Sequence, residues 1–123
     1  MKQIKIIAGD VSAVAELSNG KTSDAIWNSL PIENTVNTWG DEIYFTIPVT
    51  SALDETAKEV VEKGDLGYWP TGKAFCIFFG PTPVSQGEVP RAYSPVNIFG
   101  KVVGDATTFK QAGAGSLVRV VPA

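Results

Sequence analysis

The apolar positions of this 123-residue chain recur mostly with period two, the spacing of strands rather than helices. Residues 2–8, KQIKIIA, read as a strand ended by Gly9-Asp10, a hairpin dipeptide. In VSAVAEL, Val11, Ala13, Ala15 and Leu17 fall on one face and Ser12, Val14 and Glu16 on the other, which predicts a second strand closed by Asn19-Gly20. The pattern then changes. Thr22-Ser23-Asp24 is a helix-start signal with Ser23 as the expected N-cap, Ala25, Ile26, Ser29 and Leu30 follow at helical spacing, and Pro31 stops the helix. Val36, Trp39, Ile43 and Phe45 predict strands over 33–39 and 42–47, joined at a turn or bulge around Gly40-Asp41.

Residues 54–63, DETAKEVVEK, place acids first and Lys63 last, as a helix dipole favours, and are expected to be only partly helical, because their apolar face is thin, with Asp54 able to cap. GDLGYWPTGK (64–73) reads as a structured loop, because it holds three glycines and a proline. AFCIFF, bounded by Gly72 and Gly80, is an uninterrupted apolar run and predicts a central strand buried on both faces. Residues 80–95 carry four of the eight prolines and are expected to form a long irregular excursion. VNIFGKVV (96–103) predicts a strand with a bulge at Gly100, residues 105–112 a short helical turn, and SLVRVVP (116–122) a closing strand. Seven or eight strands without a βαβ rhythm predict a mostly β fold, as a barrel or a sandwich.

Composition narrows the chemistry. At 44% hydrophobic and 19% charged residues, the chain has the balance of one globular domain spanning 1–123, with no repeat or low-complexity tract. A net charge of −3 with scattered Lys and Arg argues against nucleic-acid binding, which needs clustered cations. No apolar run is long enough for a signal peptide or a membrane span, so a cytoplasmic address is expected. The chain has no histidine, which removes His-based triads, dyads and general bases. No metal site and no cofactor are expected. The single cysteine, Cys76, sits inside the apolar run and reads as a buried apolar side chain. Asp41 and Glu42 are adjacent, so on one strand they face opposite sides and cannot act as a carboxylate pair. The glycines of 113–115 lack the context of a phosphate loop and read as a turn.

The stretches VNTWGDEIYF (36–45), GDLGYWPTGKAFCIFFGPTP (64–83) and SPVNIFGKVVG (94–104) together resemble the small prokaryotic cyclophilin-like domain family, whose members are of uncertain function. The resemblance implies a closed eight-stranded β-barrel with two or three short helices. Phe75–Phe79 and Phe99-Gly100-Lys101-Val102 also echo the strands of true cyclophilins, the prolyl isomerases. Those enzymes carry an arginine in an RxxPxFMxQGGD segment. This chain has NTWGDEIYF at the corresponding stage, without arginine, and it lacks the pocket histidine.

Trp39 and Tyr44 offer apolar walls and Asn37 and Glu42 hydrogen-bonding groups, although each residue type serves equally in turns and cores. Trp69-Pro70, in the glycine-rich stretch, has two readings, a groove rim or an anchor for the loop. The expected site is a barrel face lined by Asn37, Trp39, Glu42, Tyr44, Phe79, Thr82 and Arg91. The expected role is binding a small molecule or a proline-containing peptide. A weak prolyl isomerase with Arg91 polarising the amide is the alternative, and a structural or oligomerising domain a third.

Overall fold

The strands form one antiparallel sheet whose path runs β3-β10-β1-β2-β9-β7-β8-β5-β4, with β6 added on β9. In this computed structural model, which describes residues 2–123, the strands are β1 (Gln3–Ala8), β2 (Val11–Leu17), β3 (Ile32–Thr35), β4 (Asn37–Thr38), β5 (Glu42–Thr46), β6 (Ala57–Val60), β7 (Asp65–Trp69), β8 (Ala74–Phe78), β9 (Arg91–Val102) and β10 (Leu117–Pro122). One α-helix, α1 (Lys21–Asn28), and two 3-10 segments at Pro70–Gly72 and Ala106–Gln111 complete the fold. No helix among the described residues is long and apolar enough to cross a membrane.

The expected closed eight-stranded barrel is corrected to an open sheet of ten strands. Its path ends at β3 and at β4, and no ladder joins the two. The physical reason lies in one short run of chain. Residues 32–35 pair with β10, whereas 37–38 pair with β5. Between them Val36 turns aside and exchanges backbone bonds with Ser116 and Gly115. The same segment thus forms both ends of the sheet and cannot pair with itself. The ends approach each other through a side chain: the Asn34 amide donates to the Thr46 carbonyl at 2.8 Å.

The main core is gathered from the inner face of nearly every strand and includes Ile4, Ile6, Ile43, Phe45, Leu66, Phe75, Ile77, Phe99 and Val120. Phe75 stacks on Phe45 at 4.9 Å between centroids and meets Phe99 edge-on at 5.0 Å. α1 covers one side of this core with Ile26. Its N-cap is Gly20, not Ser23. Ser23 lies inside the helix and donates its hydroxyl to the Phe99 carbonyl, tying helix to sheet.

A second, smaller core lies on the opposite face of β7 and β8, made of Val61, Ala74, Cys76, Phe78, Ala92 and Val96. This explains AFCIFF: Phe75 and Ile77 enter one core while Ala74, Cys76 and Phe78 enter the other, so every residue of β8 is buried. Three segments differ from expectation. Residues 57–60 are strand rather than helix, because Asp54 does not cap but closes a turn by accepting the Thr56 amide and hydroxyl, which frees the next residues to pair with β9. Residues 65–69 are strand rather than loop. Their glycine is a packing requirement: a Cβ on Gly67 would come within 2.7 Å of Val96 Cγ2 and 3.1 Å of Phe78 Cε2. Finally, 91–95, expected in the excursion, extend β9 to twelve residues. The bulge anticipated at Gly100 is present as an extra residue, Phe99, between the pairs Leu66–Gly100 and Gly67–Ile98.

Candidate functional site

The second face of the sheet is only partly covered, and a cavity of about 420 Å³ opens where the small core ends. Side-chain alternation along β5 creates it. Ile43 and Phe45 point into the main core, which leaves Glu42 and Tyr44 on the other face. Tyr44 is registered against Cys76, and Cys76 in turn against Gly67, while Glu42 opposes Phe78 and lies diagonal to Cys76. Glu42, Tyr44, Cys76, Ala92 and Val96 therefore line the cavity from three strands.

Aromatic rings build the walls. Trp39 enters from the β4–β5 turn, where Gly40 takes a positive φ of 59° and the Trp39 amide donates to the Glu42 carbonyl. This turn is pinned from outside, since Asp41 exchanges backbone bonds with Phe79 and Pro81. Trp69 enters from the end of β7. Its ring packs against Gly72, and its indole N–H donates to Ser94 Oγ at 2.7 Å. Tyr93, 72% exposed, stands between the two tryptophans. It makes edge contacts with Trp39 at 6.1 Å and 74°, and with Trp69 at 6.0 Å and 76°. Three rings at steep angles thus form adjoining walls, and Thr71 and Ser94 also line the cavity.

Glu42 is the electrostatic centre. It is only 6% exposed, and no ion pair among the described residues involves it. Burial raises its carboxyl to about 7, opposed only by the neighbouring Cys76 thiol. Cys76 is itself pushed well above the usual thiol range, by burial first and by the nearby Glu42 charge second. Among the described residues no Lys or Arg lines the cavity, and no group of three or more His, Cys, Asp or Glu is placed to hold a metal.

Of the seven residues expected at the site, Trp39, Glu42 and Tyr44 line this cavity, and the other four do not. Asn37 is exposed and donates to the Tyr44 carbonyl at 3.5 Å. Phe79 belongs to the main core. Thr82 is buried, and its hydroxyl donates to the Arg91 carbonyl. The Arg91 guanidinium pairs with Glu59 at 3.0 Å and lines a separate cavity of about 290 Å³, beside Val60 and Val89. In the sequence, Trp69 is legible only as a rim or an anchor and Cys76 only as a core residue, while Tyr93 falls in a segment that reads as loop. Their convergence depends on β9 running on through 91–95.

A family model described as cyclophilin-like matches residues 2–121. The chain belongs to the cyclophilin-like family. The solution structure of a hypothetical protein from Archaeoglobus fulgidus superposes on it with a TM-score of 0.84 at 40% identity, covering 99% of this chain and 95% of that one. No protein among those curated for function matches the chain. In this cyclophilin-like protein the cavity at the Trp39–Glu42–Trp69–Tyr93 face lies on the opposite side of β8 from the main core.

Proposed function

We propose that this cyclophilin-like protein is a small-molecule binding module whose site is the aromatic cavity around Glu42. One observation carries the reading: a nearly buried carboxyl without an ion-pair partner among the described residues, at a mostly apolar concavity of about 420 Å³. Ligand sites combine apolar walls with a few convergent polar groups at about this size, roughly 300–1,000 Å³. A buried carboxyl without a charged partner weakens the fold, so its presence there is understood if a ligand supplies the missing partner. Arg91, the group an isomerase would need, is turned away and paired with Glu59.

Two of the three tryptophans line the cavity, and the third, Trp27, sits on α1 under Lys2. Titration with a panel of polar aromatic and aliphatic fragments should therefore give a saturable change in tryptophan fluorescence. Trp27→Phe should keep the change, and Trp69→Phe together with Tyr93→Ala should reduce it. A panel that produces no saturable signal, or a signal that survives loss of the cavity rings, removes the proposal.

A further inference from the structure

We propose that the ligand of this cavity is a small organic cation, an alkylated or protonated amine held against the Trp39, Trp69 and Tyr93 rings with Glu42 as counter-charge. The inference rests on the binding reading above and adds the chemical class. Three features of the cavity converge on it. First, the rings of Trp39, Tyr93 and Trp69 meet edge to face at 74° and 76°, so a bound group is bordered by several π-systems at once. Aromatic rings attract a cation through the negative potential of their faces, most strongly where water is excluded. Second, among the described residues Glu42 is the one acid that lines the cavity and neither Lys nor Arg lines it, so an anionic ligand would meet like charge without compensation. Third, the Glu42 carboxyl has no charged partner within the described residues, and an ammonium would provide one.

The same geometry gives the cation a pH signature. Because the carboxyl ionises at about 7, a cation finds a neutral wall below that value and a carboxylate above it. The other titratable groups facing the cavity are Tyr44 from β5, Cys76 from β8 and Tyr93 from β9. Asp41, adjacent in sequence, is directed to Lys110 at 3.9 Å and does not line the cavity.

The test compares choline with 3,3-dimethylbutan-1-ol, its uncharged isostere, titrated into the intact chain and followed by tryptophan fluorescence. At about pH 8 choline should bind roughly tenfold or more tightly than the alcohol, as expected for a cation held between aromatic faces and the Glu42 carboxylate. Its affinity should weaken by up to about tenfold between roughly pH 8 and pH 6, the ratio of ionised Glu42 at those two values, while the alcohol should show no such trend. Glu42→Gln should lose both the pH trend and most of the preference for choline. Equal binding of the two probes, a pH-independent preference, or a preference retained in Glu42→Gln each overturns the proposal. If neither probe binds while the fragment panel gives a saturable signal at Trp39 and Trp69, the cation assignment fails and the binding module stands. Silence from both probes and panel removes the two together.

Discussion

Placing the Glu42 carboxyl between Cys76, Tyr44 and the aromatic walls has a consequence for the stability of the fold. In the unfolded chain this group titrates near its ordinary 4.5, and in the folded chain at about 7. Below the lower value both states hold the proton. Between the two values only the unfolded state releases it, so stability falls as pH rises. Above the folded value the loss is complete, on the order of 3 kcal/mol at roughly 1.4 kcal/mol for each tenfold change in proton affinity. Replacing the carboxyl with an amide removes the titration. Glu42→Gln should therefore be more stable than the parent by up to about 3 kcal/mol at roughly pH 8, and close to equal at roughly pH 4.5. Urea denaturation at the two pH values measures this directly. A gain of the same size at both values would show that Glu42 ionises near its ordinary value in the folded protein, hydrated in the cavity. A site that destabilises its own fold in the empty state is consistent with a group kept for binding.

At the level of single elements, β7 and β8 show how a strand can serve two cores. β8 fills both faces with side chains, whereas β7 leaves a gap at Gly67 into which Val96 and Phe78 pack. A methyl group at that position has nowhere to go, because Val96 is held in β9 and Phe78 in β8. Gly67→Ala should cost on the order of 1–3 kcal/mol, the range for overfilled cores, although alanine ordinarily favours a strand over glycine. Thermal unfolding reads it, and a neutral or stabilising result would mean that β9 shifts freely over the sheet. These elements are unequally legible in the sequence. The run AFCIFF is visible as a doubly buried strand because six apolar residues in a row leave neither face of a strand for water. β7 is not, since Gly64, Gly67 and Gly72 resemble loop punctuation when the packing partners are unknown. DETAKEVVEK contains good helix formers, and its strand arises only from pairing with β9, a contact more than thirty residues away in sequence. For the site, Glu42, Tyr44 and Trp39 can be grouped from sequence because they are close along the chain. Tyr93 and Cys76 cannot, because the register of β9 and β8 brings them there.

Across the whole molecule, the open sheet decides which strands are protected. The segment 32–38 divides its hydrogen bonds between β10 and β5, leaving an unpaired edge on each half. Strand count and the family resemblance both favour closure, yet neither specifies whether the last pair of edges meets. What the structure substitutes for a ladder is the covalent run through Val36 and a few contacts such as Asn34 to Thr46. β7 and β8, in contrast, are flanked on both sides, by β9 and β8 and by β7 and β5. Local opening needs only the bonds of the segment concerned, so an edge exchanges amide protons faster than an enclosed strand. Hydrogen exchange under native conditions should show the amides of 32–38 exchanging first among the strands that bound the main core, and those of Phe75–Phe78 last. The open seam adjoins the β4–β5 turn that carries Trp39, so any ligand contacting that ring should slow exchange at 37–42 as well as at the cavity floor. Protection at 32–38 equal to that of β8 would instead require a further pairing between the sheet's ends.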